Sequence, residues 1–131
     1  MDRTTSGESA HLGLAYYYYP NSKCTTSTCQ LNVGFISSTN GGASWSSAEH
    51  LAGPMQLTWL PRTTSGFMVG DYISTSMGSA DDAIAVFAVA KAPTGTATCS
   101  NLSTQAPGSH CDEAMFTTPQ GLLTIVGGTN V

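Results

Sequence analysis

Apolar and polar positions alternate in short runs broken by turn residues, and no stretch repeats its apolar residues at the i, i+3, i+4 spacing of a helix. The chain therefore reads as strands throughout. A first strand is predicted over residues 12–19, rich in aromatic residues and stopped by Pro20-Asn21. A second covers residues 31–37. In it Leu31, Val33 and Phe35 alternate with Asn32, Gly34 and Ile36, so one face is apolar and the other mixed. A third is expected from Trp45 to Leu51, with Gly53-Pro54 as its end. Further strands are expected over 67–74, 83–90, 114–117 and 122–126, of which 83–90 is almost continuously apolar and reads as buried. That run is about half the length needed to cross a bilayer, so no membrane span is expected.

Between the first two strands lies a Lys, Ser and Thr segment holding Cys24 and Cys29, and a second polar stretch, 93–110, runs up to Cys111 and contains Cys99. Four cysteines allow three pairings; the local pairs Cys24–Cys29 and Cys99–Cys111 are the reading adopted. Structural zinc favours C-x2-4-C pairs, whereas the spacings here are C-x4-C and C-x11-C, so disulfides and an oxidising, extracellular location are expected. Asn101-Leu102-Ser103 fits the N-glycosylation triplet.

Composition agrees with a secreted fold. Charged residues make up only 9% of the chain, against roughly 25% in an average soluble protein. The polar surface must then come from Ser, Thr, Asn and Gly. The net charge is −4 with only four basic residues, which leaves no basic stripe for phosphates and excludes nucleic acid as an expected partner.

The most informative segment is Ser38-Thr39-Asn40-Gly41-Gly42-Ala43-Ser44-Trp45, which fills every position of the pattern Ser/Thr-x-Asp/Asn-x-Gly-x-x-Trp/Phe. The residue types suit a self-supporting turn. Asn40 can bond backbone groups nearby, Gly42 can adopt positive φ, and Trp45 can fold back over the hairpin base. The stretch resembles the Asp box, or BNR repeat, of the sialidase superfamily, with Asn in place of the usual Asp. Residues 66–73 and 82–87 resemble the opening of the next blade in secreted proteins of that type.

The resemblance implies an all-β fold of antiparallel β-propeller blades: a single segment over 1–131, with a box-bearing blade at 12–52 and a following blade at 56–126 whose loop 93–111 is closed by a disulfide. A blade takes roughly 40 to 50 residues and a closed propeller about four to eight blades. About two blades fit here, so the expected partners are further blades of a longer chain or further copies of this one.

Function is less constrained by the residues. The resemblance implies a Tyr nucleophile assisted by Glu, an Asp acid and three arginines gripping a substrate carboxylate. Only Arg3 and Arg62 are present. Candidate groups for hydrolysis are Asp71, Tyr72, Asp81, Asp82, Asp112 and Glu113, with Asp71-Tyr72 foremost; for binding they are Tyr16, Tyr18 and Arg62. Consecutive tyrosines at 16–19 put two rings on each face of a strand, suited either to packing or to stacking on a sugar. No cofactor is expected; Asp81 and Asp82 offer oxygen ligands for calcium, although adjacent loop carboxylates are more often simply solvated. His11, His50 and His110 show no metal-ligand spacing. The expectation is a glycan- or protein-binding segment, the alternative a piece of an exo-sialidase or related glycoside hydrolase whose remaining catalytic groups lie outside the chain.

Overall fold

A computed structural model describes residues 1–70, 72–78, 81–94, 99, 110–118 and 123–128. Within them the chain is all-β, with two single-turn 3-10 helices at Gly7–Ser9 and Leu57–Trp59. The strands are β1 (Leu12–Tyr18), β2 (Gln30–Ser38), β3 (Glu49–Gln56), β4 (Arg62–Thr63), β5 (Gly66–Phe67), β6 (Ser74–Met77), β7 (Asp82–Thr94), β8 (His110–Thr117) and β9 (Leu123–Thr124). β1-β2-β3 form one antiparallel sheet, β4-β5 a small hairpin, and β6-β7-β8 a second sheet, with β9 also paired to β7. Neither main sheet closes on itself.

The alternation in β2 aims the inner face. Val33 and Phe35 are fully buried, and with Leu31, Ala15, Met55 and Leu60 they meet Ala83, Ala85, Phe87, Ala90, Leu123 and Ile125 of the second sheet in one core. Burying a side chain such as Phe35 contributes about 1.5–3 kcal/mol, the main force holding the sheets face to face. The run 83–90 is largely buried: Ala83, Ala85, Phe87, Ala88 and Ala90 are buried, Val86 and Val89 half-buried, and Ile84 is 39% exposed.

Two expectations are corrected. Gly53-Pro54 does not end the third strand, because β3 runs through it to Gln56. The pairing steps from Leu31↔Met55 to Val33↔Ala52, so both residues sit in a bulge opposite Asn32, which spares the proline from supplying a ladder hydrogen bond. The expected strand over 67–74 is not continuous: Gly66–Phe67 closes the β4-β5 hairpin, β6 starts only at Ser74, the described residues between them form no strand, and Gly70 has φ 87°.

The two sheets are also joined by hydrogen bonds. β6 pairs with β7 only as far as Val86. Beyond it, the Tyr17 hydroxyl accepts from the Ala88 amide (2.8 Å) and donates to the Ala88 carbonyl (3.1 Å). The Ala90 amide donates to Met55 Sδ at 3.1 Å. On the other side of the core, the Ala15 amide donates to Thr75 Oγ1 at 3.2 Å.

Residues 38–45 reverse β2 into β3 through side-chain hydrogen bonds. Ser38 Oγ accepts from the Asn40 and Gly42 amides (3.3 and 3.0 Å) and donates to Asn40 Oδ1 (2.9 Å). Asn40 Oδ1 also accepts from the Ser44 amide (2.9 Å), and Asn40 Nδ2 donates to Ser44 Oγ (2.8 Å). Gly42 sits at φ 91°, where a side chain is strained, and a Cβ there would press on Leu12 and on the Trp45 ring at 3.4 and 3.5 Å. Trp45 therefore lies back over the turn. The loop further holds the segment after β9: Ser44 Oγ donates to the Gly128 carbonyl (2.9 Å), and Ser37 Oγ both accepts from the Val126 amide (3.0 Å) and donates to its carbonyl (3.1 Å).

Both disulfides are formed, with Cα–Cα distances of 4.9 Å for Cys24–Cys29 and 5.6 Å for Cys99–Cys111. No helix among the described residues is long and apolar enough to cross a membrane. The two disulfides are consistent with an extracellular protein.

Tyr17→Phe leaves the Ala88 amide and carbonyl without their inter-sheet partner, and a loss of about 1–3 kcal/mol is expected. Urea denaturation checks this as a lower midpoint at unchanged slope. Asn40→Ala removes three hydrogen bonds from a part-buried turn, while Asn40→Asp keeps both bonds accepted by the Oδ1 atom. Thermal melts are expected to rank wild type above Asn40→Asp, and Asn40→Asp well above Asn40→Ala.

Candidate functional site

Strand alternation separates the tyrosines by role. Tyr17 faces inward and packs on the core, so Tyr16 and Tyr18 face outward on the β1-β2-β3 sheet. Their ring centroids are 5.6 Å apart with the planes at 46°. Tyr16 pairs with Gly34 across the sheet and Tyr18 with Asn32. Gly34 makes this arrangement possible: a Cβ there would come within 2.9 Å of Tyr16 Cζ and 3.1 Å of Tyr18 Cε1. The rings thus lie down across β2 and present a half-buried aromatic surface rather than standing free in solvent.

Polar groups border that surface on the β3 side. Gly34 pairs with His50, and His50 Nε2 lies 3.0 Å from Asn32 Oδ1. Asn32 is almost fully buried under this cover, whereas His50 is exposed. Two aromatic faces beside an amide and an imidazole combine apolar contact area with directional hydrogen bonding.

A second group of functional side chains gathers at a different place. His11 Nδ1 lies 2.5 Å from Asp81 Oδ1, and a carboxylate oxygen of Asp2 completes a trio whose donor atoms all fall within 4.8 Å of one another. Asp81 has φ 61°, an uncommon conformation for a residue with a side chain, immediately before β7 begins. The Asp2 carboxylate accepts from the Thr4 amide (2.9 Å) and hydroxyl (2.8 Å), which hold it below its ordinary pKa, the amide having the larger effect. Beside the trio a cleft of about 680 Å³ opens between residues 1–4 and 75–78.

The remaining expected residues are dispersed. Tyr72 is 83% exposed and lies before β6, in no strand. Asp71, its proposed companion, and the triplet Asn101-Leu102-Ser103 lie outside the described residues. Arg62 is an exposed residue of β4, in the separate hairpin, with its amide bonded to the Cys99 carbonyl at 3.1 Å. Asp81 turns to His11, while Asp82 opens β7 opposite Thr124.

Glu113, on β8 opposite Ala90, has its Oε1 buried without a hydrogen-bond partner among the described residues. Burial pushes its carboxyl pKa up, and the Tyr17 hydroxyl is likewise pushed up, first by burial and then by the charge of Glu113.

Asp2 and His11 are the residues that sequence reasoning missed. His11 has no metal-ligand spacing because its neighbours in space are 9 and 70 residues away, and only the packing of residues 1–5 against β1 and of β1 against β6 and β7 brings them together. No family model, curated protein or solved structure matches the chain.

The raised Glu113 pKa fixes the sign of a pH effect. Below the unfolded value of about 4.3 the carboxyl is neutral in both states and costs nothing. As pH rises through the folded value, ionisation is disfavoured in the native state and that stability is lost. Glu113→Gln is therefore expected to melt higher than wild type at neutral pH, with the gap closing toward pH 4; calorimetry across that range checks both the sign and the convergence.

Proposed function

We propose that the chain is a non-catalytic glycan-binding segment of an extracellular protein of the Asp-box propeller type, in which a sugar ring stacks on Tyr16 and Tyr18. The observation that carries this reading is the tyrosine pair, laid over Gly34 and bordered by Asn32 and His50. Tyr rings offer large contact area at low conformational cost, and the exposed His50 at the border supplies an imidazole, held by Asn32 through its Nε2.

Three further features support the frame. The Ser38–Trp45 turn makes the hydrogen bonds expected of an Asp box and joins two antiparallel strands. Each main sheet has open edges, and Ile84 and Met115 leave apolar area on the outside of the β6-β7-β8 sheet, where further blades of a longer chain or another copy can pack. The two disulfides suit an oxidising compartment. The sequence holds two arginines, Arg3 and Arg62, one short of the three that grip the substrate carboxylate in a sialidase, which favours binding over hydrolysis.

The outer face of the β1-β2-β3 sheet is also a face that a neighbouring blade would cover, so sugar and protein compete for it. A glycan array with the isolated chain, followed by calorimetric titration of the best ligand, tests the assignment. Binding to wild type is expected, reduced by about 5- to 13-fold in Tyr18→Ala, since a stacked ring contributes on the order of 1–1.5 kcal/mol. Light scattering of both proteins separates the competing use of the face: a stable oligomer that Tyr18→Ala dissociates means that protein, not sugar, sits there. Release of fluorophore from a sialoside would assign the chain to hydrolysis instead.

A further inference from the structure

We infer that Asp2, His11 and Asp81 form a binding site for a divalent transition-metal cation of the zinc class, at the wall of the cleft between residues 1–4 and 75–78. Three donors from three separate parts of the chain converge here, with all ligand atoms within 4.8 Å. Zinc binds imidazole nitrogen and carboxylate oxygen at about 2.0–2.2 Å, which places neighbouring ligands of a tetrahedron roughly 3.3 Å apart. To meet that distance the His11–Asp81 pair opens from 2.5 Å and the separations of up to 4.8 Å close by up to about 1.5 Å.

The backbone around each donor is already fixed by other bonds. The Asp2 amide donates to the His11 carbonyl at 3.0 Å, and the His11 amide donates to Thr5 Oγ1 at 2.8 Å. The Asp81 carbonyl accepts from the Ile125 amide at 2.7 Å. Only side chains have to move. The 2.5 Å approach of His11 Nδ1 to Asp81 Oδ1 already brings an imidazole nitrogen and a carboxylate oxygen together, and the Asp2 carboxylate lies within 4.8 Å of both.

The ligand chemistry selects the ion. One nitrogen and two carboxylates suit zinc and its neighbours better than calcium, which takes six to eight oxygens. Three protein ligands leave at least one position open. Of the three ligands, Asp2 also lines the cleft of about 680 Å³. This site is independent of the tyrosine surface, so neither assignment depends on the other.

Zinc titration of the full chain, stripped with chelator, tests the site by calorimetry and by the imidazole ¹⁵N resonances of His11. One zinc per chain is expected, with the Nδ1 resonance of His11 moving on binding. His11→Gln and Asp81→Asn are each expected to weaken zinc by about 10- to 100-fold or more, as losing a direct ligand costs at least what losing its supporting partner does. Asp82→Asn is expected to leave affinity unchanged, and near-UV circular dichroism verifies that each variant is folded. No zinc uptake at millimolar concentration, equal affinity in His11→Gln, or calcium binding as tightly as zinc each overturns the assignment. The wild-type ¹⁵N measurement decides even if a variant fails to fold.

Discussion

β7 continues past the end of its β6 partner, and everything else in the molecule has to accommodate the backbone groups that this leaves facing the opposite sheet. A buried amide or carbonyl without a partner costs about 1–3 kcal/mol. The Tyr17 hydroxyl takes both groups of Ala88, and Met55 Sδ takes the Ala90 amide. Because these partners come from β1 and β3, the second sheet is satisfied only when the first is docked in register. Hydrophobic burial brings the sheets together, and the polar bonds at Ala88 set how they sit.

The same constraint links the Ser38–Trp45 turn to the rest of the fold. Ser37 and Ser44 lie at either side of that turn and bond the segment 126–128, which follows β9, itself paired with β7. A turn that organises its own hairpin is thus also a clamp on the far end of the second sheet. Its hydroxyls are buried, so each bond is made away from competing water.

Much of this was legible in the residues. Alternation in β2 announced its buried face, the aromatic stretch announced β1, and the spacing from Ser38 to Trp45 announced the reversal between β2 and β3. The cysteine pairs were readable because each closes a short loop. What misled was punctuation. Gly53-Pro54 reads as a stop, yet a bulge opposite Asn32 lets β3 carry it; the apolar residues after Phe67 read as a strand, yet Gly70 takes φ 87° and β6 starts only at Ser74. A bulge is defined by the partner strand, which no local pattern of turn residues contains.

The sites divide along the same line. Tyr16 and Tyr18 are two residues apart on a strand, so sequence alone places them on one face, and only the absence of a side chain at Gly34 was needed to lay them flat. Asp2, His11 and Asp81 share no period, motif or segment. They meet because residues 1–5 run back along β1 while the turn into β7 reaches over to the same end of the sheet. The His11–Asp81 contact is therefore more than a surface ion pair, which in isolation contributes about 0–1 kcal/mol. It joins the start of the first sheet to the start of the longest strand of the second, at the end of the interface opposite Tyr17. A cation held there would tighten the two sheets from that end, and occupancy of the site and the register of the core would then respond to each other.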